Sequence, residues 1–275
     1  MDKIIVATAQ FMAVQGDKEK NYAKMETLAR MAQAERHADL LLFPEVILTG
    51  GGVDSREAVE AIAAPLDGEH VSKIRALSTE LDMDIAFGMV EKDGDKCYNT
   101  VVLCEPDGNI GWYRKIHLPH TGCDRFVDRG DRFVVMDTRF GKIGIMNCYD
   151  LRFPEIARSL ALDGARLILC PACMKGDGAK RVLSMLVRAR ALENRAFVLY
   201  CNWTGQNDKG AVYLGCSHLA DPVGDILMDA GTEEGVLAQS IDLSIADNKS
   251  ICAPWGDVYI FEDRQPQFYG RLMER

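Results

Sequence analysis

No stretch of the sequence approaches the ~20 consecutive apolar residues that cross a bilayer. The opening Met1-Asp2-Lys3 leads into only Ile4-Ile5-Val6-Ala7, too short an apolar run for a signal peptide. These absences exclude a spanning or secreted segment, and the chain reads as cytoplasmic. Excess basic charge is also missing. Lys and Arg number 32 against 41 Asp and Glu, a formal net charge of −9, which argues against general affinity for nucleic acid or an anionic membrane. A small molecule is the expected partner. Linkers rich in Pro and Ser, low-complexity segments and charge blocks are absent, so residues 1–275 are expected to form one domain. The nine cysteines are scattered and odd in number, without the dense framework of a disulfide scaffold, so reduced thiols are expected. Cys170-Pro171-Ala172-Cys173 has metal-ligand spacing, but no second pair or nearby His-x-x-x-His completes a site. Neither a metal nor a cofactor is expected.

What the chain does contain is an alternation of strand and helix patterns. Lys3–Gln10 reads as a strand, and 21–36 carries Met25, Leu28, Ala29 and Ala32 at helical spacing. Asp39–Phe43 is a continuous apolar run, as in a strand buried on both faces, and it stops at Pro44-Glu45. Beyond the Gly50-Gly51-Gly52 loop, helical patterns at 55–63 and 69–82 lead into a meander over 84–91, 97–104 and 110–115. Residues 119–132 show neither period and form a loop long enough to be functional. A strand at 133–136, a second strand ending at Cys148, a helix from Pro154 to Gly164 and a strand over 166–170 broken at Pro171 then repeat the opening pattern. The repetition suggests an internally duplicated sheet arrangement. A helix over 181–194 and strands over 196–202, 212–220 and 236–241 complete the body. The tail from Ile251, with Trp255, Tyr259, Phe261, Phe268 and Tyr269, is aromatic and needs a surface to pack on, a partner subunit being one.

Three positions in this pattern could carry chemistry. Cys148 sits where a strand turns into a helix opened by Pro154-Glu155, and backbone N–H groups at such a corner can receive an oxyanion. The alternative is that Cys148 is a small buried apolar residue, as most free cysteines are. Glu45 lies at a strand's C-terminal end, where ligands of α/β sheets gather, so it is a candidate acid or base, or else a cap or surface charge. Lys115 closes the third strand of the meander beside Arg114 and His117, where the other reading is a solvated basic rim.

Leu41-Leu42-Phe43-Pro44-Glu45, Tyr113-Arg114-Lys115-Ile116-His117-Leu118-Pro119 and Asn147-Cys148-Tyr149-Asp150-Leu151-Arg152-Phe153-Pro154-Glu155 together resemble the nitrilase superfamily of carbon–nitrogen hydrolases. The resemblance continues through 190–195 and Pro222. It implies a four-layer α/β/β/α sandwich, a Glu45, Lys115, Cys148 triad in that chain order, and a homo-oligomer of at least two subunits. Cys-Tyr-Asp-x-Arg-Phe-Pro looks like the amidase and carbamoylase branches, whereas true nitrilases usually follow the cysteine with Trp-Glu. The implied substrate is a small carboxamide or N-carbamoyl compound; the alternatives are nitrile hydrolysis and a catalytically silent metabolite-binding protein. Many members carry a second glutamate in the loop after the lysine. This chain has no Glu between Lys115 and Cys148, and Asp124 is the candidate substitute, with Asp128 in reserve.

The chemistry suits such a set. A thiol with an ordinary pKa of ~8.5 needs a nearby cation or base to act as a nucleophile, and Cys148 would form a thioester. Glu45 would move protons, and Lys115 with the Tyr149 backbone N–H would hold the oxyanion. Asp150 and Glu155 are expected to be structural, near a helix start. Arg152 is expected to pair with an acid rather than receive a substrate carboxylate, and His117 and His120 to make loop contacts.

Overall fold

Successive side chains of Lys3–Gln10 (β1) point to opposite faces, and the chain uses both. Ile4 and Val6 enter one apolar cluster while Ile5, Ala7 and Ala9 join another. Leu40–Leu42 (β2) divides the same way, Leu40 and Leu42 to the first cluster and Leu41 to the second. A sheet apolar on both faces must be covered twice. The computed structural model describes residues 2–207 and 210–273, with the backbone alone at 177–183, 252–253 and 273.

The first half continues with α1 (Lys18–Arg36), α2 (Arg56–Ile62), α3 (Glu69–Leu81), β3 (Asp84–Asp93), β4 (Lys96–Cys104) and β5 (Ile110–Arg114). The second half runs through β6 (Val134–Thr138), β7 (Gly141–Ile145), α4 (Pro154–Leu162), β8 (Leu167–Ala172), α5 (Asp177–Asn194) and β9 (Phe197–Asn202). A hairpin of β10 (Thr204–Gln206) and β11 (Val212–Leu214) precedes β12 (His218–Ala220), β13 (Ile226–Asp229) and β14 (Gly235–Asp242). The tail holds a further hairpin, β15 (Ser250–Ala253) and β16 (Gly256–Tyr259).

Two six-stranded sheets result, ordered β14-β1-β2-β3-β4-β5 and β13-β12-β9-β8-β7-β6. In each, three parallel strands are flanked by one antiparallel strand on one side and two on the other. The duplicated arrangement is therefore real at the level of topology, with the chain's late strand β14 filling in the first sheet the place that β6 fills in the second. Helices α1, α2 and α3 bury Met25, Leu28, Val59, Val71 and Ile74 in the cluster on the outer face of the first sheet. The other cluster runs between the sheets and on to Ile156, Leu160 and Val187 of α4 and α5. This is the four-layer α/β/β/α sandwich. Each such aliphatic side chain contributes roughly 1.5–3 kcal/mol on full burial, more than any single cap or helix propensity. Among the described residues no helix is long and apolar enough to cross a membrane.

Some expectations need correction. The strand before Cys148 stops at Ile145, and its last inter-strand bond is Met146 N to Leu169 O at 2.9 Å. Pro171 does not end its strand; it lies inside β8, opposite Cys201 of β9. Leu169 and Pro171 face the same neighbour because backbone direction alternates along a strand, and by Pro171 that neighbour, β7, has turned away, so no N–H is needed. The single strand expected over 212–220 is two, separated at Cys216, whose φ of 53° is left-handed. Strands β10 and β13 and the tail hairpin have no counterpart in the hydrophobic pattern.

Candidate active site

Parallel strands β1–β3 and β7–β9 leave their C-terminal ends free, and there the site assembles. After β2 ends, β3 runs on and its exposed edge binds the following turn: Gly88 N donates to Pro44 O at 3.1 Å and Leu48 N to Gly88 O at 3.2 Å. Glu45 is thereby fixed on the turn, 1% exposed, with its own carbonyl accepting from Trp203 Nε1 at 2.7 Å. Antiparallel pairing of β3 with β4 and β4 with β5 brings the end of β5 back to the same side, which delivers Lys115, also buried. Asp124 reaches the site from a 3₁₀ turn at Gly122–Arg125 within the long loop.

These three form one charged cluster. Lys115 Nζ donates to Glu45 Oε1 at 2.6 Å and to Asp124 Oδ2 at 2.7 Å. Asn99 Nδ2, from β4, bridges the same two acids, 2.8 Å from Glu45 Oε1 and 2.8 Å from Asp124 Oδ1. Buried charges persist only when paired and hydrogen-bonded in this way. Burial by itself pushes the Glu45 carboxyl up, but the Lys115 ammonium and bonds from Cys173, Lys115 and Cys148 outweigh it and hold the group below its ordinary value. Burial likewise opposes charge on Lys115, yet Glu45, Asp124 and Cys148 raise it well above the ordinary lysine value. Asp124 is raised, by burial first and by Glu45, against the pull of Lys115. Two carboxyls on one ammonium are thus pushed in opposite directions, an arrangement suited to one acid that stays ionised and one that supports it.

Cys148 opens a second 3₁₀ turn, Cys148–Arg152, in the left-handed conformation with φ 50°. Asp150 holds that strained corner. It is fully buried; its Oδ2 accepts from Asn147 N at 2.9 Å and Tyr113 OH at 2.7 Å, while Oδ1 accepts from His117 Nδ1 at 2.7 Å. Because Tyr113 and His117 flank Lys115 in sequence, this carboxylate ties the lysine's strand end to the cysteine's turn. His117 also stacks on Phe153, with ring centroids 3.9 Å apart. The Tyr149 N–H precedes the turn's first internal bond, from Asp150 N to Asn147 O at 3.1 Å, so the turn does not use it.

Glu45, Asp124, Cys148 and Tyr149 therefore line one cleft of about 580 Å³, with the buried Lys115 bonded to both of its acids. Asp128 is elsewhere: its Oδ2 accepts from Arg56 Nη1 at 2.9 Å and Cys97 N at 3.0 Å. Arg152 does not make the expected pair; it lines the cleft with Lys175, and neither forms an ion pair among the described residues. Two contributors were not anticipated. Asn99 and Thr100 are buried polar neighbours inside an otherwise apolar strand, and that interruption is the signal that could have marked Asn99. Cys173 belongs to the Cys-x-x-Cys spacing, but Cys170 is fully buried in the core of the second half while the Cys173 N–H and thiol both donate to Glu45 Oε2, at 3.1 and 2.9 Å. Among the described residues, no group of three or more His, Cys, Asp or Glu side chains is arranged to hold a metal ion.

The sequence matches the carbon-nitrogen hydrolase family over residues 5–248. A nitrilase from Pyrococcus abyssi is 38% identical over 257 residues, 92% of this chain and 94% of that protein. An (R)-stereoselective amidase from a Pseudomonas species is 33% identical over 230 residues, 82% of this chain and 81% of that one. The fold coincides with that of a carbon-nitrogen hydrolase from Helicobacter pylori G27, with a TM-score of 0.88, 23% identity, and coverage of 100% of this chain and 99% of the other. With its sandwich, its cleft and these relatives together, the chain belongs to the carbon-nitrogen hydrolase family.

Proposed function

We propose that this protein hydrolyses the C–N bond of a small carboxamide or N-carbamoyl compound through a thioester on Cys148, releasing ammonia. The observation that carries the reading is the buried Glu45–Lys115–Asp124 cluster set against Cys148 in one cleft. Glu45 Oε1 accepts from Lys115 and Asn99 and Oε2 from Cys173, and the carboxylate so held takes the Cys148 thiol proton as sulfur attacks the carbonyl carbon. The tetrahedral oxygen then lies between the Lys115 ammonium and the Tyr149 N–H, each such donor being typically worth ~2.7–4 kcal/mol. Glu45 returns the proton to the departing nitrogen, ammonia leaves, and the same carboxylate deprotonates a water that cleaves the thioester. Asp124 takes the part of the second acid, anchoring Lys115 so that its remaining proton faces the substrate. Arg152 and Lys175 at the cleft wall, free of ion pairs among the described residues, favour an amide whose far end carries a carboxylate.

A panel of small amides, N-carbamoyl compounds and nitriles, assayed for ammonia, tests the reading. Release from amides, abolished in Cys148→Ala with the circular dichroism spectrum unchanged, is expected, together with an acyl adduct mapped to Cys148 on a slow substrate. Turnover that survives Cys148→Ala excludes the thioester. Faster release from nitriles than from amides favours the nitrilase alternative, and no release from any compound favours a binding protein.

A further inference from the structure

The cleft contains a second thiol that hydrolysis does not require. Cys148 follows β7 and Cys173 follows β8, two adjacent parallel strands whose register pairs Ile145 with Leu169, so both cysteines leave the same sheet end side by side. The Cys173 thiol donates to Glu45 Oε2 at 2.9 Å, and Cys148 lies near enough to act on both that carboxyl and the Cys173 thiol, so the two cysteines converge on one carboxylate. Both are half-buried and line the same cleft, open to a small solute. Cys123, a third thiol on that wall, is buried in the outer core of the first sheet instead.

We propose that Cys148 and Cys173 are a reversible oxidation site, closing to an intramolecular disulfide when the reduced enzyme meets a peroxide. The Cys148 sulfur, its proton passed to Glu45, attacks one peroxide oxygen, the O–O bond breaks, and the departing hydroxide takes that proton from Glu45 as water, so the sulfur is oxidised to a sulfenic acid as the peroxide is reduced. Cys173 then gives its proton to Glu45 Oε2, its sulfur attacks the Cys148 sulfur, and the S–O bond breaks. The departing oxygen takes up the proton as water, completing the two-electron oxidation of two thiols. The disulfide removes the nucleophile and blocks further oxidation of Cys148 to sulfinic or sulfonic acid, states that thiols do not reverse. A dithiol reductant restores both thiols. Stops in turnover are thus temporary.

The test uses the full-length reduced protein with hydrogen peroxide, followed by intact mass, peptide mapping and ammonia release before and after dithiothreitol. The expected result is loss of two hydrogens, one cross-link joining the peptides of Cys148 and Cys173, and turnover that falls at least ~10-fold and returns to within ~2-fold on reduction. In Cys173→Ser the same treatment should instead add two or three oxygens to Cys148, and dithiothreitol should recover nothing. Addition of oxygens to wild-type Cys148 without a cross-link overturns the proposal, as does a cross-link from Cys148 to Cys123. This inference shares Cys148 with the proposed hydrolysis, but the cross-link is read by mass with no substrate present. Failure of the disulfide therefore leaves hydrolysis standing, and absence of ammonia release from fully reduced protein leaves the disulfide standing.

Discussion

Gly88→Ala should act on Glu45 without touching it through any side chain of the site. A Cβ built at Gly88 lies 2.2 Å from Val46 N and 2.7 Å from the Glu45 carbonyl carbon and Cα, all of them backbone atoms that cannot rotate away. To reach an ordinary contact the turn must retreat by about 1 Å, and a misplacement of that size at a reacting group typically costs on the order of 10²-fold in rate. Retreat also strains the bonds Gly88 N to Pro44 O and Leu48 N to Gly88 O that hold the turn on the edge of β3. Overpacking of this kind costs roughly 1–3 kcal/mol, which for a chain of this size class lowers Tm by a few degrees, at about 2–4 °C per kcal/mol. Ammonia release on the best amide of the panel and a calorimetric scan measure the two effects. Gly94→Ala is the control: it lies in the β3–β4 turn at φ 56° with nothing within 4 Å of the added carbon, so it should lower stability through backbone strain and leave kcat intact. A Gly88→Ala enzyme with wild-type kcat and Tm would refute the claim that close packing against β3 positions Glu45.

Asp124→Asn should lower kcat by roughly 10²-fold while Asp128→Asn changes it little, because only Asp124 contacts Lys115; steady-state kinetics giving the reverse order would assign the second acid to the wrong residue. Asp84, fully buried with Arg139 Nε 2.9 Å from its Oδ1, is pushed up by burial to about 7. The folded state therefore holds a proton between pH ~4 and ~7 that the unfolded chain has released, so stability falls as pH rises through that window. Urea titrations at pH 5 and pH 8 should show this loss in the wild type and a smaller one in Asp84→Asn, and equal losses would remove Asp84 as the cause. The tail leaves Trp255 86%, Phe268 76% and Leu272 64% exposed, so light scattering at micromolar concentration should report a mass above the 30.5 kDa of one chain; a monomer would count against a partner surface there.

Legibility in the sequence followed the physics of each feature. Strand β1 was readable as Lys3–Gln10 from its apolar run after Asp2, although Phe11–Val14 carries apolar residues past its end; Asp39–Phe43 was readable because a strand covered on both faces has no polar alternate positions. Cys148's strand was read too long. Met146 extends the apolar run, but Asn147 caps the next turn, and the left-handed residue at 148 and the capping by Asp150 turn the chain; no hydrophobic pattern records a φ angle. Arg152 was misread for a related reason. Acids near it in sequence suggested a pair, but Asp150 points inward to Tyr113 and His117, leaving the guanidinium at the cleft.

Cys173 shows where one-dimensional reading stops. Spacing alone grouped it with Cys170, since two thiols three residues apart suggest a shared ion. In β8, however, Cys170 is committed to the core, and only after the strand ends at Ala172 is residue 173 released from the pleat and carried to Glu45, 128 positions away in sequence. The partners of Glu45 come from β4, the end of β5, the turn after β7 and the end of β8, which belong to both sheets. Neither duplicated half could build this site alone. The first supplies the carboxylates, the lysine and Asn99; the second supplies both thiols and the Tyr149 N–H. Packing of the two sheets therefore creates the chemistry as well as the core, and a substitution that shifts one sheet against the other should lose activity before it loses the fold.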